Sequence, residues 1–145
     1  MANSSTVRYA QLFDLPKETE VFCNRGTSGI DGSTSTAVGA SLVNKNPTLL
    51  ITGDLSFFYD INGLWNNFIP SSFRIILINN SGGGIFRILP GEKDTPKFDT
   101  YFETIHQRNA KSICKAFGLN HYFVKTLWGL RLALKSFYNP SNKPK

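Results

Sequence analysis

The stretch LLITGDLSFFYDINGLW, residues 49–65, decides the fold. Its first four residues, Leu49-Leu50-Ile51-Thr52, have the apolar and β-branched character of a buried strand. The run then stops abruptly at Gly53-Asp54. A second apolar run, FRIILI at 73–78, stops in the same way at NNSGGG, residues 79–84. Between them lies a helical stretch, expected over 60–68 and broken by Pro70. Two apolar strands joined by a helix form a parallel pair with a right-handed crossover. The ends of both strands then share one edge of the sheet, where open α/β sheets bind ligands. The carboxylate therefore sits where the apolar run stops because that is the mouth of the sheet.

Working outward, the remaining elements alternate in the same manner. A short helix is expected over 4–14, capped by Ser4 or Ser5, with Pro16 beyond its end. A strand is expected at EVFC (20–23), a helix over 28–43 packed closely through Ala37, Gly39 and Ala40, and strands over 48–52 and 74–79. SGGGIFRILP reads as a loop returning to order. A helix follows over 101–117, closed by Gly118, then a strand at HYFV (121–124). The last helix, 126–138, carries Leu130, Leu134 and Phe137 on one face. The fold class is α/β, a mostly parallel sheet flanked by helices.

The chain has 145 residues, 41% hydrophobic and 18% charged, within the range of one domain with a sizeable core. No apolar run approaches the ~20 residues of a membrane span, and MANSSTVRYAQLF lacks the layout of a secretory signal. Two cysteines, Cys23 and Cys114, make no disulfide framework, so the expected setting is a reducing cytoplasm. The net charge is +6, but the basic residues are spread along the chain rather than clustered among exposed aromatics. That pattern argues against nucleic acid and for a small anionic ligand. The N-terminal stretch already resembles the first turn of a helix, and NPSNKPK follows a helix with no strand after it. Both ends therefore read as cuts in a longer protein.

Asp54 leaves the end of one strand, and Asn79 and Asn80 leave the other. Their hard oxygens suit a small divalent cation such as magnesium, which completes its shell with water and phosphate oxygens. The SGGG run lets backbone groups approach a ligand closely. Gly-Asp and Asn-Asn-Ser-Gly are also ordinary turn formers, so the weight rests on the two occurring together at one βαβ spacing.

GDLS (53–56) followed by NN (79–80) resembles the Gly-Asp-Gly and Asn-Asn signature of thiamine-diphosphate enzymes. Leu55 stands where most members have glycine. NRGTSGIDGSTSTAVG (24–39), GDLSFFYDINGLW (53–65), NNSGGGIFRILP (79–90) and NSSTVR (3–8) are together similar to the 2-succinyl-5-enolpyruvyl-6-hydroxy-3-cyclohexene-1-carboxylate synthase family, where leucine at that place is usual. The resemblance covers nearly the whole chain, but only the family's C-terminal, diphosphate- and magnesium-binding domain. It implies that residues 1–145 are that domain of a longer multidomain enzyme of menaquinone biosynthesis.

The resemblance also implies roles. Asp54, Asn80 and the backbone carbonyl of Gly82 match the ligands of Mg2+ (or Mn2+). Ser28, Gly29, Gly53, Leu55, Ser56, Gly83, Gly84 and Ile85 match the surroundings of thiamine diphosphate, and Ile30 the bulky residue beneath the cofactor's bend. The family's substrates, 2-oxoglutarate and isochorismate, are dianions. Arg8 and Arg25, with Ser4 beside them, match positions that hold their carboxylates. Ile85, Phe86 and Leu89 match an apolar wall that keeps water from the reacting carbon. An activating glutamate is expected on a pyrimidine-binding domain of a second subunit, in a homodimer or dimer of dimers. No catalytic residue is therefore assigned within this chain, and the chain alone is expected to be inactive. Residues 81–98 are expected to be mobile, or held only by another copy.

Read from the residues alone, Arg8 would be a solvated helix residue, and Ile30, Ile85, Phe86 and Leu89 ordinary core. His106 and His121 lack metal-ligand spacing and read as surface or satisfied histidines, although His106 falls near a family substrate loop. Cys23 reads as a buried thiol, and Asp31 and Asp60 as local caps. Two other functions fit less well. One is a different thiamine-diphosphate enzyme, such as an acetolactate synthase or a 2-oxoacid decarboxylase; the other is a non-enzymatic scaffold of the same fold. NSSTVR and IFRILP argue against the first, and the intact Asp54 and Asn80 against the second.

Overall fold

The computed structural model describes residues 1–91 and 93–145. Leu49–Gly53 forms β1 and Arg74–Ile78 forms β2, paired in parallel with Leu49 opposite Arg74 and Gly53 opposite Ile78. This is the expected pair, and both strands end together at Asp54 and Asn79. Flanking chain joins each outer edge by backbone hydrogen bonds. Ala2 N donates to Ile51 O at 2.9 Å, and Ile75 N donates to Lys145 O at 2.7 Å.

Among the described residues six α-helices accompany the pair: α1 (Ser5–Ala10), α2 (Ser33–Val43), α3 (Asp54–Tyr59), α4 (Ile85–Ile88), α5 (Lys111–Ala116) and α6 (Leu127–Tyr138). The core is built from Val38 of α2, Leu50 of β1, Phe57 of α3, Leu64, Phe73 and Cys114 of α5. These apolar groups come from elements far apart in sequence, so their burial is what assembles the layers.

Two buried charges settle helix ends. Gly32 precedes α2 and offers no side-chain cap. Asp60, at the end of α3, takes that place: its Oδ2 accepts from Ser35 N at 2.7 Å, satisfying an amide that has no partner within the helix. A Cβ on Gly63 would lie 2.9 Å from Ser35 backbone atoms, so only glycine lets the 3-10 turn Ile61–Leu64 pack directly on α2. At the opposite end, buried Arg74 donates to Phe137 O (2.7 Å) and Asn139 O (3.0 Å). It thereby holds the C-terminus of α6, where cations are favoured. Thr126 caps the other end of α6, accepting from Gly129 N at 3.1 Å.

Several expectations need correction. The helix expected over 101–117 is two pieces, a π-helical turn at Phe98–Glu103 and then α5. Thr104 adopts φ 52°, which ends the turn, and the amide of His106 is drawn away to Ser81 O at 3.1 Å. Backbone bonds that would continue the helix go to the glycine turn instead. Gly118 does close α5 in left-handed geometry, φ 73°. The helix expected over 60–68 is only the turn Ile61–Leu64, because α3 begins earlier, at Asp54 itself. The 28–43 helix starts at Ser33, since Ser28 and Gly32 have positive φ. The 4–14 helix is confined to Ser5–Ala10. Residues 20–23 and 121–124 form no strand among the described residues. Residues 20–23 meet Met1 through Phe22 O, a single backbone hydrogen bond, and one bond does not make a ladder.

Candidate functional site

Asp54 is the first residue of α3 and is only 1% exposed. An acidic side chain in the first turn favours the helix N-terminus, and here it also faces the second strand end. Its Oδ1 accepts from Leu55 N at 2.8 Å, and its Oδ2 accepts from Gly82 N at 3.0 Å. The carboxylate that ends β1 is thus tied directly to the glycine turn that follows β2.

That turn is tightly specified. Ser81 and Gly82 have φ 69° and 154°. A Cβ on Gly82 would lie 2.7 Å from Glu103 O, so no other residue fits. Gly83 N donates to Glu103 O at 2.6 Å, and Gly84 N to Gly82 O at 3.0 Å. Asn79 directs its amide to Arg108 O at 2.9 Å. Asn80, at the exposed rim, extends its amide across Gly84, 2.5 Å from where a Cβ would stand there. Of the two asparagines, Asn80 is therefore the one turned along the glycine run. Asp54, Asn80 and the Gly82 carbonyl offer oxygen donors, the donor type that magnesium prefers.

The loop 24–32 is brought to the same edge. Ser56 Oγ donates to Ile30 O. Asn3 Nδ2 donates to Asn24 O (2.7 Å) and Gly29 O (2.6 Å). Ser28 takes φ 56°, and Ile30 is half-buried beside this junction. Ser56 is thereby tied to Ile30 and Asn3 to Gly29, so the 28–30 segment is bonded both to α3 and to the N-terminal segment. Arg25 reaches the start of α1, its Nη1 donating to Asn3 Oδ1 at 3.3 Å, next to Ser4. Arg8 is exposed and bonds within its own helix region, to Gln11 Oε1 at 3.3 Å. Ile85, Phe86 and Leu89 follow the glycine turn on and just after α4, with Phe86 edge-on to Phe102.

Residues 81–98 already make contacts with their own chain. Arg87 pairs with Glu103 and lies over the Phe98 ring, 5.7 Å from its centroid. Glu92, in the same stretch, lies outside the described residues.

His106 is not a surface residue. Its side chain is 11% exposed, with Nε2 3.3 Å from Asp54 Oδ2 and the ring edge-on to Phe58. Its Nδ1 accepts from Arg108 N at 3.1 Å, so a neutral ring carries its hydrogen on Nε2, facing the carboxylate. Nε2 is buried and not aligned for a hydrogen bond. His121 is exposed, its pKa lowered by partial burial and by Lys111. Cys23 lies 3.5 Å from Asn3 Oδ1, and burial raises the pKa of the Cys114 thiol. Asp31 caps locally as expected, accepting from Gly32 N at 2.9 Å. Asn3 and Glu103 carried no signal in the sequence beyond their neighbourhood, because Asn3 meets backbone carbonyls of a distant loop through its side chain and Glu103 meets Gly83 through its own carbonyl.

A parallel sheet whose two strand ends present a buried aspartate and a glycine turn is the ligand-binding edge of an open α/β domain, and sequence comparison gives the family. The chain belongs to the thiamine pyrophosphate enzymes, matching their C-terminal TPP binding domain over residues 3–144. Among curated relatives, the 2-succinyl-5-enolpyruvyl-6-hydroxy-3-cyclohexene-1-carboxylate synthase of Christiangramia forsetii is 57% identical over 143 residues, which is 99% of this chain and 25% of that protein. The synthase of the same name from Flavobacterium johnsoniae is 54% identical over 144 residues, 99% of this chain and 26% of that protein. That from Phocaeicola vulgatus is 42% identical over 143 residues, again 99% of this chain and 26% of that protein. The chain spans about a quarter of the length of these relatives. No helix among the described residues is long and apolar enough to cross a membrane.

Proposed function

We propose that this chain is the diphosphate- and magnesium-binding domain of a synthase that decarboxylates 2-oxoglutarate and joins the remaining unit to isochorismate. The product is 2-succinyl-5-enolpyruvyl-6-hydroxy-3-cyclohexene-1-carboxylate, in menaquinone biosynthesis. The observation that carries the proposal is the buried Asp54 carboxylate bonded to Gly82 N, which ties the residue after β1 to the glycine turn after β2. The relatives' shared name supports the choice of reaction.

In this reading Asp54, Asn80 and the Gly82 carbonyl hold Mg2+, or Mn2+, against a diphosphate, and the ion offsets the phosphate charge. When bound, thiamine diphosphate supplies the carbon nucleophile and electron sink that 2-oxo acid decarboxylation requires. Ser28, Gly29, Gly53, Leu55, Ser56, Gly83, Gly84 and Ile85 line the cofactor, and Ile30 supports its bend. Arg25, Arg8 and Ser4 orient the substrate carboxylates; of the two arginines, Arg25 is the one linked, through Asn3, to Gly29. Ile85, Phe86 and Leu89 exclude water from the reacting carbon.

The activating glutamate comes from the pyrimidine-binding domain of a second subunit, in a homodimer or dimer of dimers. The 145-residue chain alone is therefore inactive. Both cysteines are free thiols, which suits a cytoplasmic setting. The test is turnover by the full-length protein. Product from 2-oxoglutarate plus isochorismate, with no reaction of pyruvate alone, is the expected result. The reverse preference would assign the domain to another thiamine-diphosphate enzyme.

A further inference from the structure

The glycine turn is held a second time, by a residue that the ligand set does not include. Glu103 O accepts from Gly83 N at 2.6 Å. Gly83 N–H and Gly82 C=O belong to the same planar trans peptide, so fixing one fixes the direction of the other. The Gly82 carbonyl is therefore aimed by Glu103. It accepts one hydrogen bond, from Gly84 N at 3.0 Å, which leaves its second lone pair for a ligand.

Glu103 is itself anchored. Its side chain is 12% exposed and forms a two-point pair with Arg87, one bond being Arg87 Nε to Glu103 Oε1 at 2.6 Å. Arg87 sits on α4, the helix that leaves the glycine turn. The chain thus closes a ring from Gly82 through α4 and Arg87 to the Glu103 carboxylate, and from the Glu103 carbonyl back to Gly83. His106 N on Ser81 O, at 3.1 Å, fastens the next residues of the same segment to the turn.

We propose that Glu103 is a positioning residue for the metal, aiming the Gly82 carbonyl through its own backbone while the Arg87 pair holds it in place. This rests on the reading of Asp54, Asn80 and Gly82 as metal ligands. Partners of this outer kind change metal affinity by about ten- to a hundredfold when removed. The Arg87 guanidinium is half-exposed, so its loss leaves the core intact.

The experiment is Mn2+ titration of the full-length protein in the presence of thiamine diphosphate, followed by electron paramagnetic resonance, for wild type, Arg87→Met, Glu103→Gln, the double variant, Arg87→Lys and Asp54→Asn. Arg87→Met and Glu103→Gln should each weaken Mn2+ binding, by about tenfold for Arg87→Met. The double variant should be no weaker than Arg87→Met, because both remove one pair. Arg87→Lys should recover part of the loss. Unfolding midpoints are recorded in parallel, and Arg87→Met should keep the wild-type value. Wild-type Mn2+ affinity in Arg87→Met and Glu103→Gln, with binding lost in Asp54→Asn, overturns the role of Glu103 and leaves the ligand reading standing. No Mn2+ binding by wild type, or equal binding by Asp54→Asn, overturns the ligand reading and this proposal with it.

Discussion

The mouth of the sheet and the face beneath α6 are packed in opposite ways. At the mouth, both Asp54 oxygens, the Gly82 and Gly83 amides and the Ser81 carbonyl all have named partners within 3.1 Å. Across the sheet, α6 is held near its C-terminus by Arg74 and Lys145 and lies over a cavity of about 260 Å3. Leu77, Leu130, Leu134 and Phe137 are among the residues that line it. The outer side of α6 leaves Leu127 and Trp128 exposed, at 80% and 72%. Hydrogen bonds are directional, so a turn that must aim a carbonyl has little freedom. Apolar contact is not directional, so a helix that only covers a face tolerates a gap.

Stability should divide along the same line. Phe73 is completely buried among the core residues next to β2. Phe73→Ala should cost about 3–5 kcal/mol. Leu134→Ala opens onto space that is already partly empty and should cost about 2 kcal/mol or less. Trp128→Ala should stay within about 0.5 kcal/mol of wild type. Urea unfolding ranks the three, and a Leu134 loss equal to that of Phe73 would mean that α6 is packed as tightly as the core.

A smaller effect sharpens the contrast in the other direction. Ala133 lines the cavity. Ala133→Val should add about 0.5–2 kcal/mol by filling it, read as a higher urea midpoint. A loss of stability would show walls too rigid to accept the added methyl groups.

The sequence made the sheet and its mouth legible because their signals are local. Leu49–Thr52 and Ile75–Ile78 are apolar runs that stop at polar turn residues, and parallel pairing follows from the helix between them. Gly118 and the Leu130, Leu134, Phe137 face were readable for the same reason. The divided helix at 98–116 was not, because it depends on Ser81 O taking the amide of His106, a contact between residues far apart in the chain. His106 looked solitary in sequence for the same reason, as its neighbour Asp54 lies in another element. Glu103 could not be found by residue type, since its backbone carbonyl is the group that meets the turn. Asp60 looked like a local cap, and its partner Ser35 proved to lie on α2.

We propose that Asp54 is the charged ligand that joins a divalent ion to a diphosphate at this edge. Asp54→Asn is the sharpest variant, because its side-chain oxygen can still accept from Gly82 N while the negative charge is removed. Calorimetric titration of thiamine diphosphate into the full-length protein, with and without Mg2+, measures the claim directly. Wild type should bind much more tightly with Mg2+ present, and Asp54→Asn should bind equally weakly in both conditions. Binding by Asp54→Asn that Mg2+ strengthens as much as it does for wild type would contradict the account.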